Sequence, residues 1–495
     1  MNGLKRAAIS AALLLFTTGA SAAQDIALTS RDGSVELSGT LLGFDGEFYR
    51  VETDYGELTV DSSGVSCAGP GCPNLADFVA EVRFSGSATM GAVLMPALIE
   101  AFAARQGYTV SREEGDSGRF ALLLSREDDG KLAARFDFRA SNTNEGFADL
   151  LADEADVVMA LREVRREERI NAREAGLGDL TGANRSRVLA LDAVVPVVAP
   201  SNPVKQISPL TLARVFSGEI KNWQRLGGPD APIELHLPTA DSGLSQAIVD
   251  QVLTPAGLEL SADVTRHAMP EALAEAVARD VFALGITSYA EQGETEVLTL
   301  GGNCGFALDA ARRTIKTEDY PLTAPMFLYF PARRLPLITR EFLAFTRGPS
   351  AQIVIRRAGF VDQTPEEIPV EEQGNRFANA IITAGAETPL EELQRMTATL
   401  VPMARLTTSF RFEAGSIRLD AQSRSNVQQL ARALEQGQYD ARRLMFVGFS
   451  DGEGAARANR EIALRRAEAV QRAVSAAAVT ANLSRIDLRV DAFGE

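Results

Sequence analysis

Residues 85–90, Ser-Gly-Ser-Ala-Thr-Met, have a composition that could bind an anion. They follow Glu81–Phe84, which predicts a short strand, and precede a stretch that predicts a helix to about Ala103. A small-residue loop between a strand and a helix presents free main-chain N–H groups and the positive end of the helix dipole. Serine and threonine also occur there simply as helix caps, so the pattern alone leaves both interpretations open.

The cysteines and histidines predict one disulfide and no metal centre or other cofactor. Cys67 and Cys72 flank the tight loop Ala-Gly-Pro-Gly, and in an oxidising compartment we expect them to be bonded, with two free thiols as the alternative. Cys304 is then left over, and a lone cysteine is most often a small buried hydrophobic residue. His236 and His267 are the only histidines, and neither lies in a cluster with metal-ligand spacing.

Motifs of the common enzyme classes are missing from the sequence. It contains no Walker loop, no nucleophile elbow and no histidine-based triad. Glycan hydrolysis would need a pair of carboxylates in a cleft, and no such pair stands out among the many acidic residues. We therefore expect a protein that is not an enzyme.

Composition and charge predict an exported, soluble protein of two or more domains. The chain has 495 residues, of which 45% are hydrophobic and 23% are charged. Its formal net charge of −16 argues against a nucleic-acid partner, whereas a small anion can still bind at helix N-termini. Residues 1–23 predict a signal peptide, because Lys5 and Arg6 precede an apolar run that ends in small residues. A short membrane anchor is the alternative.

The pattern of strands and helices predicts an α/β chain that begins with a small β module. Residues 24–75 alternate apolar and polar residues between Gly-containing turns, which predicts three or four antiparallel strands closed by the Cys67–Cys72 loop. Further along, Val188–Ala199 is apolar enough for a strand buried on both faces. A turn at 201–203 follows, and then a helix over Pro209–Phe216 with Ser208 as its N-cap.

The strings DAVVPVVAPSNPV, FSGEIKNW and LGG within residues 192–228 resemble the phosphate-type periplasmic substrate-binding proteins, the PstS-like family. The resemblance implies a two-lobed periplasmic-binding-protein fold of type II over residues 76–362, an α/β fold. It also implies that phosphate or another small anion binds in the cleft between the lobes. An ABC transporter permease is a further partner that the family allows.

The resemblance also places the ligand-binding residues of the family on this chain. Carried over, they are Ser87, Ala88, Thr89, Met90, Ser141, Thr143, Arg162, Ser242 and Gly243. Arg162 could equally be a solvated surface arginine that binds no ligand.

The chain departs from the family at three positions of this site. The carboxylate that accepts a proton from phosphate falls near Leu161, and the expected arginine and threonine of the last loop fall at Pro238 and Leu244. We therefore expect weaker binding or a different ligand.

Residues 363–400 are rich in Pro and Glu and predict a linker with short helices, and residues 401–495 predict a separate domain. The domain has the order βαβαβ, with helices packed on a sheet. The predicted elements are strand Thr408–Phe412, a helix from Asp420 to about Glu435, strand Leu444–Phe449, helix Arg457–Ala477 and strand Ile486–Ala492.

The string LMFVGFSDGEGAARANREIALRRAEAVQRAV in this last domain resembles the OmpA-like peptidoglycan-binding domain. The resemblance implies that Asp451 and Arg466 bind the ammonium and the carboxylate of diaminopimelate in a wall peptide, with Asn459 beside them. A carboxylate suits an ammonium group, and the planar arginine fork suits a carboxylate. Without the resemblance, Asp451 would be a turn residue and Arg466 a solvated helix residue.

Two functional hypotheses follow from these resemblances. In the first, a periplasmic protein binds an oxyanion in its cleft and is held noncovalently at the cell wall, close to the outer membrane. In the second, the binding lobes have lost or changed their ligand, and the protein is an envelope scaffold whose main activity is peptidoglycan binding.

Overall fold

The computed structural model describes most of the chain in two compact units. The described residues are 25–75, 77–116, 118–182, 184–301, 307–383, 388–413, 415–450 and 455–493. The first unit ends at Ala80 and the second begins at Glu81. The predicted signal peptide, Cys304 and Asp451 lie outside the described residues.

The first unit is a five-stranded antiparallel sheet with the strand order β4-β3-β2-β1-β5. Its strands are β1 (Ile26–Ser30), β2 (Glu36–Phe44), β3 (Phe48–Thr53), β4 (Gly56–Asp61) and β5 (Val65–Ala68). Alternate apolar side chains of β1 and β3 form a small core, which is why the alternating pattern predicted strands here. The structure thus has five strands here, whereas the sequence predicts three or four. The Cys67–Cys72 disulfide is confirmed, with a Cα–Cα distance of 5.9 Å.

The larger unit is built mainly on one curled sheet of eleven strands. The eighteen strands among its described residues, seven of which form three smaller sheets, are β6 (Ala80–Ser87), β7 (Tyr108–Glu114), β8 (Arg119–Arg126), β9 (Leu132–Ser141), β10 (Val157–Ala160), β11 (Ser186–Val198), β12 (Gln206–Ile207), β13 (Glu234–Pro238), β14 (Thr265–His267), β15 (Ala283–Ser288), β16 (Glu296–Val297), β17 (Thr299–Gly301), β18 (Ala307–Leu308), β19 (Thr323–Tyr329), β20 (Glu367–Ile368), β21 (Arg405–Leu406), β22 (Arg443–Gly448) and β23 (Asp487–Ala492).

Helices cover the sheet and form most of the C-terminal part. They are α1 (Met95–Gln106), α2 (Thr143–Leu151), α3 (Arg166–Glu174), α4 (Pro209–Phe216), α5 (Gly243–Ile248), α6 (Pro270–Arg279), α7 (Arg312–Lys316), α8 (Leu337–Phe345), α9 (Pro349–Arg357), α10 (Gly374–Thr383), α11 (Leu390–Leu400), α12 (Ala421–Glu435) and α13 (Ala456–Ala477). Across the described residues, no helix is both long and apolar enough to cross a membrane.

The long strand β11 joins the two lobes of the binding fold. Its first part, Ser186–Ala193, pairs with β19 of the first lobe, and Val194–Val198 pairs with β15 of the second lobe. From Val188 onward β11 is buried along its whole length, as the continuous apolar run predicted. The helix over Pro209–Phe216 is also confirmed, and the Ser208 hydroxyl accepts a hydrogen bond from Thr211 N–H at 3.0 Å.

The C-terminal part contains β22 and β23 as a parallel pair, with α12 and α13 packed on one face. Asp420 caps α12 as predicted, accepting from Ser423 N–H at 2.7 Å. The strand predicted over Thr408–Phe412 is absent. Tertiary contacts explain the difference, because main-chain groups of Ser409 and Arg411 bond to side chains of α12 instead of to a strand.

Residues 363–400, which the sequence predicts as a linker, contain α10 and α11. Arg376 of α10 donates to Asp319 at 2.7 Å, and Arg395 of α11 donates to Asp491 at 2.7 Å. Asp319 precedes the segment in the chain and Asp491 follows it. The segment is therefore held to residues on both sides of it.

Candidate functional site

The first candidate loop follows β6. Gly86 has a φ of +126°, and a Cβ at this position would lie 2.1 Å from the Met159 carbonyl oxygen, so β6 can approach β10 here only with glycine. The Ser87 hydroxyl is buried and accepts from Met90 N–H at 3.3 Å. Ala88 is exposed, Thr89 is half-buried without a capping bond, and Met90 is fully buried. Ser87 thus stabilises the turn, and Thr89 carries the more accessible hydroxyl.

The second candidate loop leads into α2. Asn142 caps the helix by accepting from Glu145 N–H at 3.0 Å, and Thr143 Oγ1 accepts from Leu161 N–H at 3.1 Å. Ser141 Oγ is buried and makes no hydrogen bond with any described residue. A buried hydroxyl without a partner is costly, so the Ser141 hydroxyl is available to an added ligand.

The loops of the first lobe lie close together. A Cβ at Gly146 of α2 would lie 2.9 Å from the Gly86 Cα, so α2 packs directly on the loop that contains Ser87. The Thr143–Leu161 bond connects α2 to the end of β10. The structure therefore brings Ser87, Thr143 and the residues after β10 into one region.

Arg162 is already paired in this structure. Its guanidinium donates to both carboxylate oxygens of Glu168, at 2.7 and 3.0 Å, and to Asn144 Oδ1 at 2.6 Å. The Arg162 side chain is 16% exposed, and its Nε is buried without a partner in the described residues. An anion that reached Arg162 would therefore compete with Glu168 for the same two N–H groups.

The candidate loop of the second lobe begins α5. The Ser242 hydroxyl caps this helix by accepting from Ser245 N–H at 3.1 Å. Gly243 faces the first lobe, because a Cβ added to it would lie 2.9 Å from Leu161 Cδ1. Leu161 and Leu244 are both buried. The lobes thus meet at Leu161, and both positions where the PstS-like pattern has a polar group hold buried leucines.

An arginine that the sequence does not identify also reaches this loop. Arg266 lies on β14, and its Nη1 donates to the Pro238 carbonyl oxygen at 2.8 Å and to Ser245 Oγ at 3.0 Å. Burial lowers the pKa of Arg266 from its ordinary value. A cation from the neighbouring strand therefore lies beside Pro238, the position at which the PstS-like pattern has an arginine. No spacing rule could have found it, because the contact depends on the pairing of β13 with β14.

The only two histidines of the chain are neighbours in the second lobe. His236 Nδ1 and His267 Nε2 lie 2.9 Å apart, within hydrogen-bond distance. Burial lowers the pKa of both rings, and the charge of His267 lowers the pKa of His236 further. The His267 carbonyl oxygen also accepts from Thr239 N–H at 3.0 Å, which connects the pair to the loop before α5. Among the described residues, no group of three or more His, Cys, Asp and Glu side chains is arranged to hold a metal ion.

The candidate wall-binding residues lie on α13. Arg466 Nε donates to the Ser416 carbonyl oxygen at 3.4 Å, and the guanidinium lies 5.1 Å from the centre of the Phe412 ring. Arg466 forms no ion pair with another described residue. Asn459 is buried in the first turn of α13. Asp451, the other predicted wall-binding residue, lies outside the described residues.

Comparison with known proteins identifies two families. Residues 74–346 match the profile of the PBP superfamily domain, and residues 411–495 match that of the OmpA family. Protein SphX of Synechococcus elongatus is 28% identical over 233 residues, which are 45% of this chain and 67% of that protein. The phosphate-binding protein PstS of Staphylococcus haemolyticus is 25% identical over 239 residues, 46% of this chain and 71% of that protein.

A solved structure from Vibrio cholerae, described as an ABC-type phosphate transport receptor, is also similar. It aligns with 57% of this chain and 99% of its own, at 18% identity and a TM-score of 0.43. The first of the two family matches spans more than half of the 495 residues. The chain therefore belongs to the PBP superfamily, and it carries a C-terminal domain of the OmpA family.

Proposed function

We propose that this protein is a cell-envelope receptor that binds phosphate or a related oxyanion and is held noncovalently on peptidoglycan. The observation that carries the oxyanion part is Ser141 Oγ, which is buried, has no partner among the described residues and lies beside the first turn of α2. Main-chain N–H groups and hydroxyls at such a position suit an oxyanion. Relatives of similar sequence are named as phosphate-binding proteins, and we assign no catalytic activity to this chain.

Ligand entry in this proposal requires the two lobes to separate. Leu161 contacts Gly243 across the cleft, and an ion pair between Arg165 and Asp250 joins the same two lobes. Opening would break both contacts and expose Ser141, Thr143 and Ser242, and closing around the anion would restore them. The cleft is thus a site that excludes water once it closes.

Thermal unfolding tests the oxyanion part. A ligand that binds only the folded protein raises the melting temperature as its concentration increases. We expect phosphate to raise it in the full chain, and chloride at matched ionic strength to leave it unchanged. Equal melting curves in phosphate and in chloride would contradict the proposal.

The wall-binding part depends on Arg466, whose Nη groups have no carboxylate partner among the described residues. A diaminopimelate carboxylate would suit this planar fork, and Asp451 would receive the ammonium group. Cosedimentation with purified peptidoglycan sacculi tests this part. We expect Arg466→Ala to lose most of the pelleted protein, and Arg472→Ala, which removes an exposed arginine of the same helix, to pellet like the wild type.

A scaffold that no longer binds an oxyanion is the second candidate function. The observations that favour it are the Leu161–Gly243 contact and the pairing of Arg162 with Glu168. In that case phosphate would change no melting curve, and sacculus binding would still depend on Arg466. A receptor held on the wall would deliver its anion only to permeases within reach of the wall. An ABC permease is therefore a partner only if the protein is an oxyanion receptor, and not if it is a scaffold.

A further inference from the structure

Three arginines of the larger unit gather without a carboxylate partner. Arg187 lies on β11, Arg347 directly follows the C-cap of α8, and Arg432 lies on α12. All three are half-buried, and none forms an ion pair with a residue that the structure describes. Like charges in such a place are costly, because desolvation and mutual repulsion both disfavour the charged forms. A bound anion would offset both costs.

The end of α8 lies against β11. Arg187 Nη1 donates to the Leu343 carbonyl oxygen, in the last turn of α8, and to Thr346 Oγ1 at 3.4 Å. Thr346 directly precedes Arg347, so these bonds hold Arg347 close to Arg187. A cation suits the C-terminal end of a helix, and this contact is structural. It uses Nη1 alone, because Arg187 Nε is buried and has no partner among the described residues.

Helix α12 reaches the same region through a buried glutamine. Gln363 Nε2 donates to the Val188 carbonyl oxygen at 2.9 Å, and Gln363 Oε1 accepts from Ser425 Oγ at 3.3 Å. Ser425 and Arg432 are seven positions apart on α12, so they lie on one face of the helix. Arg432 therefore projects from the face of α12 that meets β11, on the side of Arg187.

The three charges act on one another. Burial and the charges of Arg347 and Arg432 together lower the pKa of Arg187 to about 9. Burial and the charge of Arg432 lower the pKa of Arg347 to about 10. Glu435 of α12 raises the pKa of Arg432, and no other described acid raises the pKa of these arginines. The cluster is thus positive and uncompensated in a chain whose net charge is −16.

The cluster lies apart from the cleft loops of the first lobe. Successive residues of a strand point to opposite faces of the sheet. Val188 packs in the core that includes Phe147 of α2, the helix that begins at Thr143. Arg187 therefore points to the other face, where it contacts α8. An anion at the arginines would not be the anion proposed for the cleft.

We propose that Arg187, Arg347 and Arg432 form a second anion site, which takes a compact, multivalent oxyanion of the pyrophosphate type. Two linked phosphoryl groups offer enough charge and enough acceptor oxygens for three planar guanidinium forks. Since α12 belongs to the part of the chain that matches the OmpA family, the anion would connect that domain to the binding fold. The site is independent of the proposed cleft and wall-binding functions.

Melting of the free protein tests whether the cluster lacks a counter-charge. Arg432→Met keeps the unbranched stem and removes the charge, whereas Arg432→Lys keeps both. Without multivalent anions and at low ionic strength, we expect Arg432→Met to melt at a higher temperature than Arg432→Lys, because it relieves repulsion. An equal or lower melting temperature for Arg432→Met would overturn the proposal, because the charge would then already have a stabilising partner.

Calorimetric titration of pyrophosphate into the full chain tests the ligand. We expect the wild type to bind, Arg432→Met to bind roughly ten-fold more weakly, and Arg279→Met, which removes an exposed arginine of α6, to bind like the wild type. Ser141→Ala separates the two sites, because it should weaken phosphate binding and not pyrophosphate binding. A wild type that does not bind pyrophosphate, or binding that depends on Ser141 and not on Arg432, would overturn the proposal.

Phosphate chemistry of this kind also occurs on lipid head groups, and flotation with vesicles distinguishes the two sources. The probe vesicles contain phosphatidic acid, and the control vesicles contain phosphatidylcholine alone. Because the arginines are half-buried where β11, α8 and α12 meet, we expect the full chain to float with neither. Flotation with phosphatidic acid that is lost in Arg432→Met would overturn the assignment to a free anion.

Discussion

The candidate loop of the first lobe and that of the second lobe use the same residue type in opposite ways. Ser141, before α2, has a buried hydroxyl without a partner in the part of the chain that the structure describes, because Asn142 already caps the helix. Ser242, before α5, uses its hydroxyl as the cap. The first-lobe serine is therefore free to bind a ligand, whereas the second-lobe serine mainly stabilises its own helix. Helix-capping geometry thus distinguishes two serines that the sequence motifs treat alike, and we propose that only Ser141 contacts the ligand.

Among changes in these two loops, a side chain introduced at Gly243 is expected to lower phosphate affinity most. In Gly243→Val the new Cβ would lie 2.9 Å from Leu161 Cδ1, with two methyl groups beyond it. Overpacking of this kind costs up to about 3 kcal/mol, which corresponds to roughly a hundred-fold weaker closure around the anion. Calorimetric titration with phosphate measures the loss. The double variant Leu161→Ala/Gly243→Val removes the clash, so it should recover affinity, and no recovery would contradict the closure model.

Replacing each of the two serines by alanine should have smaller effects, and these should differ between the two positions. Ser141→Ala removes a hydrogen bond to a charged ligand, so phosphate affinity should fall roughly ten-fold, for a loss of about 1.5 kcal/mol, with little change in melting temperature. Ser242→Ala removes a helix cap, so the free energy of unfolding should fall by about 1 kcal/mol with a smaller change in affinity. Thermal unfolding and calorimetry of both variants check the contrast. Identical behaviour of the two variants would refute the assignment of different roles.

A carboxylate at position 161 should sharpen anion selectivity. Leu161 lies where the PstS-like pattern has an acceptor for the proton of phosphate, so we expect phosphate and sulfate to bind the wild type with similar affinity. Leu161→Asp should raise the ratio of phosphate to sulfate affinity several-fold, because only phosphate carries a proton to donate. Competition binding measures this ratio, and Leu161→Asn is the matched control. A ratio that is unchanged in Leu161→Asp would exclude this cause of selectivity.

The smallest expected effect is a pH dependence from the second lobe. Folding lowers the pKa of His236 and His267, so the unfolded chain binds more protons than the folded one as the pH falls. Their contribution to stability is present above the ordinary histidine pKa of about 6.5 and is lost as the pH falls below it. The charge of Asp280 opposes this effect at His236. Melting temperatures of wild type and His267→Gln between pH 8 and pH 5 should converge at the acid end. A constant difference would contradict the prediction.

The sequence predicted the local features of the fold well. The strand β11, the Ser208 cap and α4 depend on neighbours within a few residues, and the disulfide depends on a short loop. The strand expected over 408–412 is absent, because bonds to Thr317, Ser423 and Asn426 outweigh its β propensity.

The candidate site could be predicted only in part. The motif located Ser141, Thr143 and Ser242, and their roles in binding remain predictions. Arg266 and the His236–His267 contact were missed, because they depend on the pairing of β13 with β14 across about thirty residues of intervening chain. The pairing of Arg162 with Glu168 was also missed, although the two residues are only six positions apart.

The most direct test of the central claim is a calorimetric titration of phosphate into the full chain, after unfolding and refolding to remove any bound ligand. Our account predicts saturable binding at one site, with micromolar affinity that Ser141→Ala weakens and Ser111→Ala, on an exposed position of β7, leaves unchanged. No heat from phosphate or sulfate, in protein that circular dichroism shows to be folded, would contradict the claim.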